Sequence, residues 1–317
     1  MPRFKSALVL SGGSARALSH LGVIQEIERS GLSFELIVGT SMGAVIGGLY
    51  ACYEDSAKVK ERVKRSFESE LFVKAASNVV EENPVYFNQD GFFNRFIWLF
   101  RKGVLYTQTM LRMELITADM YERLIAALIP DVLIEDLPVR FAAVAMDLMT
   151  GEEVVLTKGS LRAAVAASSS IPGFFPAVQI NGRLLVDGGW TNNVPAAPAV
   201  ALGAHFVLAV DATLEISGMV PSPRSAMEVL FRCNEITRIL LTRHRKSAAD
   251  VLIVPQIGDI FWADFGSIEH CMSAGRKAVE ENLSEILKQV LLRRLRTLGG
   301  VVHPGRTGQW GHPFLIL

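Results

Sequence analysis

Short, wholly apolar runs recur along this chain and alternate with longer stretches in which apolar residues return every three or four positions. The runs are Ala7-Leu8-Val9-Leu10, Leu36-Ile37-Val38, Phe141 to Ala145, Leu184 to Val186, Phe206 to Val210 and Val251 to Val254. Apolar residues at every position over three to five residues predict strands covered on both faces. Between the first two runs lies a helical stretch with Leu21, Ile24 and Ile27 on one side and Gly31 as its stop. Helical segments separate several of the strands. That alternation predicts a three-layer α/β/α fold with a mainly parallel sheet, right-handed crossovers, and a ligand crevice at the carboxyl ends of the strands.

Residues 55–135 break the rhythm. They hold a charged helical run from Lys58 to Glu70, a polar loop around Glu81 to Asp90, and an aromatic-cationic cluster from Phe92 to Lys102. The region reads as a helical insertion over the site. Its aromatic cluster suits either an interfacial lid or rings packed inside the insertion. Residues 299–317 carry glycine, proline and few periodic signals, so they read as a weakly ordered tail. The chemistry-bearing motifs are spread from residue 12 to residue 189 and point to one site, which favours a single domain over residues 1–298.

Composition narrows the class. Half of the 317 residues are hydrophobic and 20% are charged, enough apolar residue for a packed core and too much charge for a polytopic membrane protein. With 32 basic and 32 acidic residues the net charge is zero, so the balance points neither to nucleic acid nor to strong attraction toward anionic lipid. Any membrane contact is expected to be local and peripheral. Cys52, Cys233 and Cys271 are odd in number and widely spaced, as buried thiols of a reducing compartment are. The N-terminus has Arg3 and Lys5 before a short apolar run that Ser11-Gly12-Gly13 interrupts, the pattern of a first strand and not of a signal peptide. No window approaches the roughly 18 uninterrupted apolar residues of a spanning helix. A cytoplasmic protein, free or peripheral to the membrane, is the expectation.

The most specific local pattern is Gly39-Thr40-Ser41-Met42-Gly43, set between the run ending at Val38 and the small-residue segment Ala44 to Cys52. A serine on a sharp strand-to-helix turn exposes its hydroxyl, and its flanking residues must be side-chain-poor for the backbone to pass: a nucleophile elbow. The helix that follows turns free amides and a positive dipole end toward the serine, where a developing oxyanion is stabilised.

Beside the elbow, the loop Leu10-Ser11-Gly12-Gly13-Ser14-Ala15-Arg16 through Val23 resembles the first signature of patatin-like phospholipases. Gly39 to Gly43 is similar to the nucleophile motif of that family, Ala167 to Pro176 to its serine-proline block, and Val186-Asp187-Gly188-Gly189 to its aspartate block. Asn192-Asn193-Val194-Pro195 and Leu202 through Asp211 continue the likeness, which spans roughly residues 6–290. The resemblance implies a serine-aspartate dyad. Ser41 attacks an ester carbonyl, and Asp187 takes the serine proton and returns it to the leaving alcohol. It also implies an oxyanion hole from the amides of Gly12, Gly13 and Ser14, with Arg16, Gly39, Gly43, Gly188 and Gly189 in support. No metal or organic cofactor is implied, and the partner is a lipid or other acyl-ester substrate. Ser14 stands where the family has a third glycine and Ala17 where it has a glycine after the arginine. A side chain at a position needing positive φ costs about 1 kcal/mol.

Rival readings remain for several of these residues. Asp187 before two glycines also suits a plain turn, and a carboxylate of ordinary pKa, about 3.9, is a weak base unless partly desolvated. A serine-histidine-aspartate triad needs its histidine after the acid, from among His205, His244, His270, His303 and His312, none of which sits in a glycine-bounded strand-end loop. A phosphate-binding loop lacks its Gly-Lys-Ser/Thr ending. Ser168, Ser169 and Ser170 suit a pocket wall or a helix end. The expected activity is a serine acyl hydrolase on phospholipids or related esters; the alternatives are a soluble carboxylesterase or thioesterase, or a non-catalytic member that binds a lipid or partner.

Overall fold

The computed structural model describes residues 4–72, 75, 116–213, 222–223, 226–258, 260, 264–298 and 314–317. Along the chain lie β1 (Ser6–Leu10), α1 (Ser19–Arg29), β2 (Leu36–Thr40), α2 (Met42–Tyr53), α3 (Ser56–Phe67), α4 (Ala118–Leu128), β3 (Arg140–Asp147) and β4 (Glu153–Leu156). They are followed by α5 (Leu161–Ser169), β5 (Val178–Ile180), β6 (Arg183–Asp187), α6 (Ala196–Ala201), β7 (Phe206–Val210), α7 (Ala226–Arg245), β8 (Val251–Ile253), α8 (Ile268–Leu298) and β9 (Phe314–Ile316).

The strands form one sheet in the order β5-β6-β3-β2-β1-β7-β8, with β4 beside β3 and β9 beside β4. The run from β3 through β2, β1 and β7 to β8 is parallel, while β6, β5 and β4 join antiparallel. Alternate residues of each central strand feed two separate apolar clusters, as the two-residue period of a strand demands. Leu8, Leu10, Ile37, Phe141 and Leu208 pack with α1, α2, α3, α5 and α8 on one face. Ala7, Val9, Leu36, Val38, Ala142 and Val207 pack with α6 on the other. This is the predicted α/β/α sandwich, with its central strands buried along their whole length.

Three strands add to those read from the sequence. β5 forms a hairpin with β6, the strand read at Leu184 to Val186, and the turn between them, Asn181-Gly182, has φ of 51° and 77°, the left-handed pair that Asn-Gly favours. β4 follows a turn at Gly151. The third lies at the chain's end and departs from the expectation of a weakly ordered tail over residues 314–317 alone. Phe314–Ile316 pair in parallel with β4, the Leu317 amide donates to Val155 O at 2.9 Å, and the Thr157 amide donates to Leu317 O at 2.7 Å. The short Phe-Leu-Ile run is too brief to announce a strand alone; pairing on the edge of β4 makes it one. Residues 299–313 and the Phe92 to Lys102 cluster lie outside the described residues. The described ends of the 55–135 segment join the main core through Val59, Val63, Phe67, Tyr121, Ile125 and Leu128. Asp55 caps α3 by accepting from the Ala57 and Lys58 amides.

What positions the site is the contact between the β2–α2 turn and the end of β1. A Cβ at Gly43 would lie 2.2 Å from Leu10 O and 2.5 Å from Ser11 O; one at Gly39 would lie 2.4 Å from Gly43 O. Both obstacles are backbone and cannot swing aside. Gly43→Ala should therefore cost about 3 kcal/mol or more by forcing the helix off the sheet. Gly151→Ala, with φ of 72° and nothing within 4 Å, should cost about 1 kcal/mol. Urea unfolding of both variants checks this; equal midpoints would contradict it.

Candidate active site

Ser41 ends β2 and caps α2 with φ 55° and ψ −126°, a conformation that side-chain-bearing residues rarely adopt. The turn holds it there by several bonds. The Ser41 amide donates to both Ser168 O at 3.1 Å and Ser168 Oγ at 3.0 Å, and the Ser168 hydroxyl donates to Val144 O at 2.6 Å. Thr40 Oγ1 donates to Asn192 O at 3.0 Å. Ser168 thus braces the elbow from behind, while Ser170 donates to Pro176 O at 2.6 Å and Ser169 to Val165 O at 2.7 Å.

Sheet register brings the aspartate alongside. Thr40 pairs with Val144 in β3, so the next step along β3 is Ala145, and Ala145 pairs with Asp187 in β6. The Ser41 hydroxyl lies close enough to the Asp187 carboxylate to favour its ionised form. Asp187 is 3% exposed, its Oδ1 accepts from the Gly189 amide at 2.7 Å, and its own amide donates to Ser170 O at 2.9 Å. Burial pushes its carboxyl up to about 6, held back by the Ser41 hydroxyl, the Gly189 amide and the charge of Arg238. A Cβ at Gly188 would lie 2.3 Å from Val144 O, so both glycines after Asp187 are used, one for close approach and one as a donor.

The loop after β1 closes on the same point. A Cβ at Gly12 would lie 3.1 Å from Ser41 Cβ. Its amide, however, donates to Asn193 O at 3.2 Å, so Gly12 does not offer a free N–H as expected from the sequence. No described acceptor takes the amides of Gly13, Ser14 or Met42, the last being the first residue of α2. Gly13 has φ 159° and Ser14 φ 48°, so the strain expected at Ser14 is present. Ala17, by contrast, is buried within the short 3-10 helix Ser14–Leu18 and has no positive φ. Arg16 braces this loop: its Nε donates to Ala212 O at 3.2 Å and its Nη1 to Gly258 O at 2.6 Å, tying β1 to the segments after β7 and β8.

The histidines whose side chains are described are occupied elsewhere. His205 Nδ1 accepts from the Lys5 amide at 3.0 Å, at the opposite end of the strands, and His270 bonds to Ile257 O at 2.9 Å. His20 bonds to Ser11 O at 2.8 Å and burial pulls it down to about 4, which keeps it neutral. The His244 side chain and residues 303 and 312 lie outside the described set. No group of three or more metal-binding side chains occurs among the described residues.

Two residues enter the site that the sequence reading did not assign. Asn193 was visible in an Asn-Asn-Val-Pro stretch; its Nδ2 donates to Thr213 Oγ1 at 2.8 Å and its carbonyl holds Gly12. Arg238 carried no local signal, since it sits in α7, far along the chain, and reaches Asn193 Oδ1 at 3.1 Å.

The family profile described as Patatin-like phospholipase matches residues 8–200, which include the elbow, the loop after β1 and Asp187. The chain belongs to this family. Human patatin-like phospholipase domain-containing protein 6 is 33% identical over 207 residues, 65% of this chain and 13% of that protein. An uncharacterized NTE family protein of Mycobacterium tuberculosis is 27% identical over 299 residues, 87% of this chain and 46% of its own length. The chain thus spans a small part of the first patatin-like relative and about half of the second. Among solved structures, VipD from Legionella pneumophila is similar with a TM-score of 0.42 and 14% identity, covering 92% of this chain and 67% of that one. No helix among the described residues of this patatin-like chain is long and apolar enough to cross a membrane.

A carboxyl raised from 3.8 to about 6 destabilises the fold when ionised. Between those values the native state binds more protons than the unfolded chain, so stability falls as pH rises. Asp187→Asn should accordingly raise Tm, by a margin that grows from pH 4 to pH 7 and corresponds to on the order of 3 kcal/mol at neutral pH. Thermal melts across that range test it; a pH-independent or negative change in Tm would contradict the burial cost.

Proposed function

We propose that this protein is a serine acyl hydrolase that cleaves carboxylic esters of phospholipids or related lipids through a Ser41–Asp187 dyad. The observation that carries the reading is the strained Ser41 elbow beside a buried carboxylate whose pKa is raised toward neutrality. Ser41 Oγ attacks the ester carbonyl carbon while its proton passes to Asp187. The carbonyl π electrons move onto oxygen, and the resulting oxyanion meets the Gly13, Ser14 and Met42 amides, reinforced by the positive end of α2. Gly12 serves by letting the loop approach Ser41. The intermediate collapses as the C–O bond to the alcohol breaks, and Asp187 returns its proton to that leaving oxygen. An acyl-Ser41 ester remains. Water, giving its proton to Asp187, attacks this ester, and the fatty acid departs as Ser41 is reprotonated.

Membership of the patatin-like phospholipase family supports a lipid ester as substrate. Contact with the bilayer would be peripheral.

Purified protein should release fatty acid from phosphatidylcholine vesicles without added metal, and Ser41→Ala should lower the rate by about three orders of magnitude or more while the melting curve is retained. Undiminished release by the folded variant would reject Ser41 as nucleophile. Turnover of soluble short-chain esters with none on vesicles would replace the lipid reading by a soluble esterase.

A further inference from the structure

Arg238 is a cation on α7 that no motif accounts for, yet it meets the site twice. Its side chain is 16% exposed and its guanidinium is shared. Nε donates to Glu235 Oε2 at 3.1 Å, Nη2 pairs with Glu235 Oε1, and Nη1 donates to Asn193 Oδ1 at 3.1 Å. One point beside Gly189 Cα lies 3.1 Å from Asp187 Oδ1, 3.0 Å from Asn193 Oδ1 and 3.5 Å from Arg238 Nη1. The guanidinium and the Asp187 carboxylate are therefore within about 7 Å of each other, close enough for a strong interaction in a buried site. Through Asn193, whose carbonyl accepts the Gly12 amide at 3.2 Å, the same guanidinium is tied to the loop facing Ser41.

We propose that Arg238 is a positioning residue for the Ser41–Asp187 pair, its charge keeping Asp187 ionised and its bond to Asn193 keeping the Gly12 loop in place. The proposal rests on the dyad reading above. A planar fork suits both tasks, because one face of it can satisfy Glu235 while the remaining nitrogen reaches Asn193; a lysine ammonium keeps only the charge. The groups that interact with Asp187 are the Ser41 hydroxyl, the Gly189 amide, Tyr121 from α4 and Arg238 from α7, and the Arg238 guanidinium also feels Glu235 on its own helix and Asp211 after β7. Arg238 is the cation among them that acts on Asp187. Without it Asp187, already held up by burial, takes a proton at higher pH.

The test is the pH profile of kcat/KM for p-nitrophenyl butyrate between pH 5 and 9, in wild type, Arg238→Gln, Arg238→Lys and Asp187→Asn, with a melting curve for each. Arg238→Gln keeps a donor for Asn193 but loses the charge, so its acidic limb should move up by about one pH unit. Arg238→Lys should keep the wild-type limb and lower the plateau several-fold. A wild-type limb in Arg238→Gln, with Asp187→Asn inactive, overturns the role of Arg238 and leaves the dyad standing. Wild-type rates and limb in Asp187→Asn overturn the dyad, and the Arg238 inference falls with it.

Discussion

Everything at this site depends on how closely the 39–43 turn packs against the carbonyls that end β1. Gly43 sits where a single added carbon would overlap the oxygens of Leu10 and Ser11. That approach fixes the start of α2 against the sheet, and the chain between β2 and α2 is then too short to avoid the strained conformation at Ser41. A residue held at such angles costs of order 1–3 kcal/mol. The cost is offset by the fully buried strands on either side and by Ser168, which accepts the Ser41 amide twice over. The placement of the hydroxyl and the strain come from the same contact, since the turn that points the hydroxyl outward also leaves the first amides of α2 unpaired beneath it.

The second constraint is electrostatic. Asp187 is nearly sealed from water, and a sealed carboxylate is a poor ion but a better base. Ser41, the Gly189 amide and Arg238 act against that burial, leaving a carboxyl whose pKa lies at about 6. The buried charge is unfavourable to the fold, and Asn193 links the two sides of the site by bonding to Arg238, Thr213 and the Gly12 loop.

Much of this was legible in the sequence, and the reasons differ by element. The central strands were readable because each is buried on both faces and so is apolar without alternation. Ser41 was readable because its conformation demands glycines at fixed offsets, and Asp187 because two glycines with separate duties follow it. The edge was harder. β5 and β6 had an Asn-Gly turn between them that announces a hairpin, but β5 is only half buried and lacks an apolar run. β9 exists by pairing with β4, and the sequence of three residues cannot disclose a partner so distant. Gly12 looked like an oxyanion donor because glycine loops converge amides; that its N–H is spent on Asn193 is a tertiary fact. Arg238 was invisible for the same reason, since its place beside Asp187 is set by the docking of α7 and not by any neighbour in the chain.

The most direct test of the central claim, that the elbow serine is activated by the buried aspartate, is covalent labelling with a fluorophosphonate followed by peptide mapping in wild type, Ser41→Ala and Asp187→Asn. The account predicts a single adduct on Ser41, absent from Ser41→Ala and slowed by orders of magnitude in Asp187→Asn. A folded wild-type protein that stays unlabelled, or labelling of Ser41 that proceeds equally well without the Asp187 carboxylate, would contradict it.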